Sequence, residues 1–125
     1  MASDQGNDQT AGRILVVEDE VFIAMEIERA LMNGGFEVLG PVGSIKDALQ
    51  LLHREQPDAA VLDVTLRDGK VTPIAVLLRS QGVPFVLASA EGRELTETGF
   101  FQGVTNLGKP TDMPRMIEEV RRLLN

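Results

Sequence analysis

The chain of 125 residues has no cysteine, tryptophan or tyrosine, and only one histidine. The lack of cysteine excludes disulfides and thiolate metal sites, and it fits a reducing compartment, so we expect a cytoplasmic protein. With a net charge of −7 and no block of Lys and Arg, the chain lacks the positive surface that direct nucleic-acid binding requires. No apolar run reaches the length of a membrane span, so we expect no membrane insertion.

The polar first segment, residues 1–11, lacks the apolar core of a secretory signal, and we expect it to be a disordered tail. The chain is 43% hydrophobic, which is ordinary for a globular protein. We find no linker or low-complexity segment that would mark a second domain. Residues 12–125 are therefore predicted to form one domain with a single core.

Apolar strand candidates begin near Arg13, Phe36, Asp58, Pro84 and Gly103. Successive starts are roughly 20–26 residues apart, which leaves room for one strand and one helix in each interval. Short apolar strands that alternate with helices are typical of a parallel sheet covered on both faces, so we predict an α/β fold.

Capping signals mark the starts of several predicted helices. Ser44 begins a segment that resembles a capping box, and Thr72 is predicted to cap a helix before Pro73. Thr111 or Asp112 is predicted to cap the last helix. These signals support the alternation of strands and helices.

The first predicted helix has more apolar residues than one core face needs. Val21, Met25 and Met32 form an additional strip beside that face. Two interpretations are open: the strip packs against the last helix, which we favour, or it contacts a partner protein.

Polar side chains follow four of the strand candidates, at the point where each strand ends. Glu18 and Asp19 follow the first strand, Asp63 the third, Ser89 the fourth and Lys109 the fifth. Because the carboxyl ends of parallel strands open onto one edge of a sheet, these three carboxylates, one hydroxyl and one ammonium should converge. Together they suit a divalent cation beside a phosphoryl group.

Four motifs in this order resemble the receiver domain of two-component response regulators. They are residues 16–20, 61–64, 88–91 and 108–110, and the resemblance covers about residues 12–125. It implies a doubly wound parallel sheet of five strands in the order 2-1-3-4-5 with five helices, the (βα)5 flavodoxin-like receiver fold.

The resemblance implies that Asp63 takes a phosphoryl group from a sensor histidine kinase or a histidine phosphotransfer protein, with Mg²⁺ required. Asp19 and Asp63 would bind Mg²⁺ directly, Glu18 through water, and Thr65 through its backbone carbonyl. Without the metal, the crowded carboxylates should repel one another and have raised, mutually dependent pKa values. In the family, side chains at Thr65 and Glu91 flank the path of the water that hydrolyses the phosphoaspartate, so they should set its lifetime.

Lys109 and Ser89 would bind oxygens of the phosphoryl group, one as a point charge and one as a hydroxyl donor. Phosphorylation adds roughly −1.5 to −2 charges, so Ser89 and the loop after it should move toward Asp63. The segment 91–99 is a poor helix by propensity and is the candidate bistable element. The surface of the fourth helix, fifth strand and fifth helix would then signal to an unidentified downstream protein.

Two features depart from most receivers. Asn106 stands where most members have a Tyr or Phe that swings inward on activation, so a switch by ring movement is called into question here and Asn106 is itself a candidate switch residue. The loop after the phosphoacceptor, residues 64–70, lacks the usual proline. Both features are similar to those of a subset of stand-alone receivers from α-proteobacteria, although residues 87–90 match the motif of that subset only in part.

The leading interpretation is a stand-alone signalling protein or phosphate sink, monomeric or dimeric on phosphorylation, that catalyses only its own phosphorylation and dephosphorylation. One alternative is a degenerate receiver that binds proteins without phosphorylation, against which the intact Asp63, Asp19 and Lys109 argue. Another is a phosphatase of the haloacid dehalogenase type, which needs an Asp-x-Asp motif after its first strand and a cap. Here Glu18 and Asp19 occupy that place, and no residues remain for a cap.

Overall fold

The computed structural model describes residues 10–125, so most of the predicted tail lies outside the described residues. Among the described residues, no helix combines the length and apolarity that crossing a membrane requires. The strands are β1 (Arg13–Val17), β2 (Glu37–Val42), β3 (Ala59–Leu62), β4 (Thr65–Leu66), β5 (Gly69–Lys70) and β6 (Phe85–Leu87). The helices are α1 (Val21–Asn33), α2 (Ile45–Arg54), α3 (Thr72–Ser80), α4 (Glu94–Glu97) and α5 (Met113–Leu123).

The main sheet has four parallel strands in the order β2-β1-β3-β6. A fifth segment continues this order beside β6, because Leu87 and Asn106 form a parallel bridge. Leu87 N donates to Thr105 O at 2.9 Å, and Leu107 N donates to Leu87 O at 2.7 Å. The predicted α/β fold and order 2-1-3-4-5 are therefore confirmed, with the small hairpin β4–β5 lying outside that sheet.

The fifth strand is shorter than predicted, since only this bridge represents it. Gly103 and Gly108, with φ of 82° and 79°, turn the chain on either side of residues 104–107. Positive φ is incompatible with an extended strand, so only four residues are left to pair with β6.

Each face of the sheet covers a separate apolar layer. In β1, Leu15 and Val17 face the layer under α2 and α3, whereas Ile14 and Val16 face the layer under α1 and α5. All four side chains are buried. This two-sided burial explains why residues 14–17 of β1 form an uninterrupted apolar run and not an alternating one.

Two of the three predicted helix caps are present. Ser44 Oγ accepts from the N–H of Asp47 at 3.1 Å, and Asp112 Oδ1 accepts from the N–H of Arg115 at 3.2 Å. The prediction for Thr72 is wrong, because α3 already includes Thr72 and its cap position is Val71. Val71 is buried, and its carbonyl accepts the first helical N–H groups, so the helix begins one residue earlier than the sequence signal.

The favoured interpretation of the apolar strip on α1 is also wrong. Val21, Met25 and Met32 are 66%, 48% and 58% exposed. The contact with α5 uses the core face instead, where Ile27 and Leu31 lie in the same buried layer as α5. The strip lies outside that face and remains on the surface.

Two further differences lie beside the polar edge of the sheet. The loop after Asp63 forms the unpredicted hairpin β4–β5, in which Thr65 pairs with Lys70. The fourth helix, α4, spans four residues, none of them buried. Its shortness agrees with the low helix propensity of segment 91–99.

Candidate functional site

The carboxylates predicted to converge lie together at the carboxyl edge of the sheet. Each of Glu18, Asp19 and Asp63 places one carboxylate oxygen within 4.8 Å of the others. The sheet also fixes their backbone, because Glu18 N donates to Val42 O and Asp63 N donates to Val17 O, each at 2.9 Å. Glu18 and Asp63 are buried, so water screens the interaction between their charges only weakly.

The Lys109 ammonium lies among these carboxylates. Its Nζ donates to Glu18 Oε2 at 3.2 Å, to Asp63 Oδ2 at 3.2 Å and to Glu20 Oε2 at 3.1 Å, and it lies 3.0 Å from Glu18 Oε1. Burial disfavours the ammonium charge, but the hydrogen bonds to Glu18, Glu20 and Asp63 outweigh it and raise the pKa of Lys109. Lys109 therefore stays protonated and gives the acidic cluster its positive charge.

Burial and its neighbours act on the charge of Glu18 in opposite directions. Burial raises the pKa of Glu18, while the N–H of Glu20, at 3.0 Å, and Lys109 act against that rise. The nearby Asp63 adds repulsion in the same direction as burial. The pKa of Glu18 is thus raised as expected, but burial and not repulsion between the carboxylates is the main cause.

The donor set fits a small, hard dication. Glu18 Oε1 is buried and accepts no hydrogen bond in the described part of the chain, and its contact with Lys109 is purely ionic. Three carboxylate oxygens this close are the kind of ligands that Mg²⁺ prefers, and its charge would neutralise them together with Lys109. Thr65 stands two positions beyond Asp63, and the role of its carbonyl as a further ligand stays a prediction.

Ser89 and Asn106 lie on the other side of the site. Asn106 Oδ1 accepts from the N–H groups of Ser89 and Gly108, each at 3.0 Å, and Asn106 Nδ2 donates to Ser89 O at 3.3 Å. Ser89 Oγ accepts from the N–H of Glu91 at 3.1 Å. Sequence reasoning placed Asn106 at the switch position but assigned it no partner, although a polar residue inside an otherwise apolar strand is a signal that it bonds to backbone.

The two residues expected to flank the water path, Thr65 and Glu91, are joined to each other. Thr65 Oγ1 donates to Glu91 Oε2 at 3.0 Å, and Lys70 Nζ donates to Thr65 Oγ1 at 2.8 Å. Lys70 Nζ is also 3.6 Å from Glu91 Oε2. Sequence reasoning missed Lys70, because its approach to Thr65 depends on the unpredicted hairpin.

Two other residues near the site were missed. Glu20 was overlooked although it is the third acid in a run of three, a pattern that signals a residue able to reach the same cation. Glu20 makes no side-chain cap for α1, since its carboxylate contacts Lys109 instead. Phe22 is 85% exposed in the first turn of α1. Its position beside the apolar strip was the signal in the sequence that it belongs to the same surface.

No protein-family model matches the chain. It is 28% identical over 111 residues to the transcriptional regulatory protein PdtaR of Mycobacterium tuberculosis, in an alignment that covers 86% of this chain and 54% of PdtaR. The chain thus spans about half the length of this curated relative.

Two solved structures cover nearly the whole fold. The BeF3-activated conformation of SdrG from Pseudomonas melonis Fr1 is 35% identical, with a TM-score of 0.75 over 90% of this chain and 96% of SdrG. The receiver domain of the Francisella response regulator 1452 is 25% identical, with a TM-score of 0.78 over 90% of this chain and 96% of that one. Fold, motif order and sequence similarity therefore agree over the same part of the chain.

Proposed function

This chain belongs to the receiver-domain family of two-component response regulators, and on that basis we propose that Asp63 accepts a phosphoryl group from a histidine kinase or a histidine phosphotransfer protein. The observation that carries the proposal is the position of Asp63. It is buried in the acidic cluster, with one oxygen 3.2 Å from the ammonium of Lys109.

The reaction is an in-line displacement at phosphorus. A carboxylate oxygen of Asp63 attacks the phosphoryl group of phosphohistidine, the P–N bond breaks, and its electron pair returns to the imidazole. The product on Asp63 is an acyl phosphate. A carboxylate is a weak nucleophile, so the protein contributes position and charge neutralisation, and Lys109 supplies both through its contact with Asp63.

Glu18, Asp19 and Asp63 would hold Mg²⁺, with the backbone carbonyl of Thr65 as a further donor. The bound ion would neutralise charge on the phosphoryl oxygens. The buried Oε1 of Glu18, which accepts no hydrogen bond from residues 10–125, supports this assignment.

The signal is read on the opposite side of the site. The Ser89 hydroxyl accepts from the N–H of Glu91 and can donate its own proton to a phosphoryl oxygen on Asp63. Thr65 and Glu91, which are already hydrogen-bonded to each other, would control the access of the water that hydrolyses the phosphoaspartate. The weakly held segment around α4 would pass the change to a downstream protein.

The partner that donates the phosphoryl group would dock beside the acidic cluster. A cavity of about 290 Å³ is lined by Glu18 and Asp19 together with Val21 and Met25 of α1. The exposed Phe22 lies in the same turn. An apolar surface next to charged groups suits a helical partner that must bring a phosphohistidine to Asp63.

Labelling of the protein by acetyl phosphate or by a phosphorylated kinase, with and without Mg²⁺, tests this proposal. We expect the wild type to form an adduct that hydroxylamine cleaves, and only with Mg²⁺, and Asp63→Asn to form none. Adduct on Asp63→Asn would show that another residue is the acceptor. A wild type that binds partners but is never labelled would favour the degenerate module, and turnover of an added phosphoester would favour the phosphatase.

A further inference from the structure

Asn106 joins the two loops that would contact the phosphoryl group. Its single carboxamide oxygen accepts from Ser89 N on one loop and from Gly108 N, next to Lys109, on the other. The same carboxamide donates to Ser89 O, so both backbone groups of Ser89 depend on this side chain. No other described residue spans these loops with hydrogen bonds to both.

These bonds replace a part of the sheet. Asp63 N is paired with the backbone of β1, and Ala88 N is paired with Leu62 O at 2.9 Å. One residue later, the N–H of Ser89 is paired with a side chain and not with a neighbouring strand. Ser89 can therefore move only if the carboxamide of Asn106 moves with it or if the hydrogen bonds between them break.

The hydrogen bond at Gly108 connects the carboxamide of Asn106 to the backbone just before Lys109. The bond from Gly108 N back to Asn106 Oδ1 closes an Asx-type turn, and Gly108 has a φ of 79°. This turn directs the chain into Lys109, whose ammonium is 3.2 Å from Asp63 Oδ2. A shift of the carboxamide must therefore change the backbone that carries Lys109.

We propose that Asn106 is a positioning residue that couples Ser89 to Lys109 through hydrogen bonds. When Ser89 moves toward a phosphorylated Asp63, the carboxamide carries that movement to Gly108, and both phosphate-binding groups adjust together. This coupling rests on the proposed function and extends it, because it assigns a polar link to a position where most members of the family use an aromatic ring.

The test is amide NMR of the full chain with Mg²⁺ and beryllofluoride as the phosphoryl mimic. In the wild type, we expect the amides of Ser89 and Gly108 to shift in parallel during the titration. In Asn106→Leu, which keeps the size but removes the hydrogen bonds, amides around Asp63 should still shift while Gly108 no longer follows Ser89. Phosphorylation by acetyl phosphate should be about tenfold slower, because the backbone before Lys109 loses the hydrogen bond that positions it.

Asn106→Asp serves as the second variant, because it keeps the oxygen that accepts from Ser89 N and Gly108 N while it loses the donor to Ser89 O. We expect it to retain the parallel shifts of Ser89 and Gly108, and their loss would overturn the proposal even if Asn106→Leu fails to fold. Parallel shifts in a folded Asn106→Leu would overturn the coupling alone. Absence of any beryllofluoride response in the wild type would instead overturn the proposed function, and the coupling with it.

Discussion

The two sides of the polar site are attached to the protein in different ways. On the carboxylate side, Glu18 and Asp63 follow buried strands, and their own N–H groups are bonded to the backbone of neighbouring strands. On the Ser89 side, the sheet ends in a single bridge, the next helix has four residues, and a side chain holds the backbone. A reaction that needs groups in fixed positions and a conformational change that needs mobile groups can therefore occur at the same edge of the sheet.

Removing a core side chain under the carboxylates should have the largest effect. Leu15 is fully buried in β1, and we expect Leu15→Ala to lower the free energy of unfolding by about 2–5 kcal/mol, since it leaves a cavity. The matched control is Leu95→Ala in α4, where the side chain is only partly buried and the loss should be about 1 kcal/mol or less. Urea unfolding measures both, and equal losses would contradict the difference between the two sides.

Lys109 links the two sides, because it follows the fifth segment and contacts the acids that follow β1 and β3. Lys109→Ala should slow phosphorylation by acetyl phosphate about 100-fold, as expected when a preorganised charge is lost. Some phosphorylation should persist, but the shift of the Ser89 loop with beryllofluoride should shrink. Lys46→Ala, an exposed change of the same type, is the control. An unchanged Ser89 shift would exclude Lys109 from the switch.

A substitution at Glu20 should change the contacts of Lys109 less than the removal of Lys109 itself does. Its carboxylate is 61% exposed and competes with any phosphoryl group for the Lys109 ammonium. We expect Glu20→Gln to raise the rate of phosphorylation about twofold, because an exposed ion pair contributes little. Glu26→Gln makes the same charge change on the exposed side of α1 and should have no effect. Equal rates for the two variants would mean that Glu20 does not restrain Lys109.

The smallest effect should come from Asp68, which lies on the hairpin behind Asp63. The N–H groups of Ile45 and Lys46 donate to its carboxylate at 2.9 and 3.3 Å, and the bond from Ile45 is the main reason that the pKa of Asp68 is lowered from its usual 3.8. A lowered pKa stabilises the fold above about pH 4, and this gain is lost as the pH falls below that.

We therefore expect Asp68→Asn to melt slightly below the wild type at pH 7, with the gap closing toward pH 3. Thermal unfolding across this range measures the effect. Asp47→Asn, on the first turn of α2 but without these two bonds, is the comparison variant. A gap that widens with acid would reverse the sign and rule out this capping role.

Predictability from the sequence differs between the two sides as well. Residues 14–17 and 59–62 are apolar because both faces of the sheet cover them, so the sequence reveals β1 and β3 and the acids that follow them. The Ser44 and Asp112 caps are local, and local signals predict them.

Features that depend on distant contacts were not predictable in the same way. The exposure of Met25 depends on how α5 meets the core face of α1. The contact of Lys109 with Glu20 joins residues 89 positions apart, and the run of three acids shows only that Glu20 lies near the site, not that it reaches Lys109. The pairing of Asn106 with the backbone of Ser89 depends on the register between the fifth segment and β6.

The alternation of β1 between two layers also restricts how related chains can change in length. One inserted residue in β1 would exchange the side chains of the two layers. Leu15 would then face the layer that now contains Ile14, and Ile14 the layer that now contains Leu15. The same insertion between β4 and β5 would only enlarge an exposed turn around Asp68. Insertions and deletions in divergent relatives should therefore accumulate in that hairpin, while the distance from β1 to Asp19 stays constant.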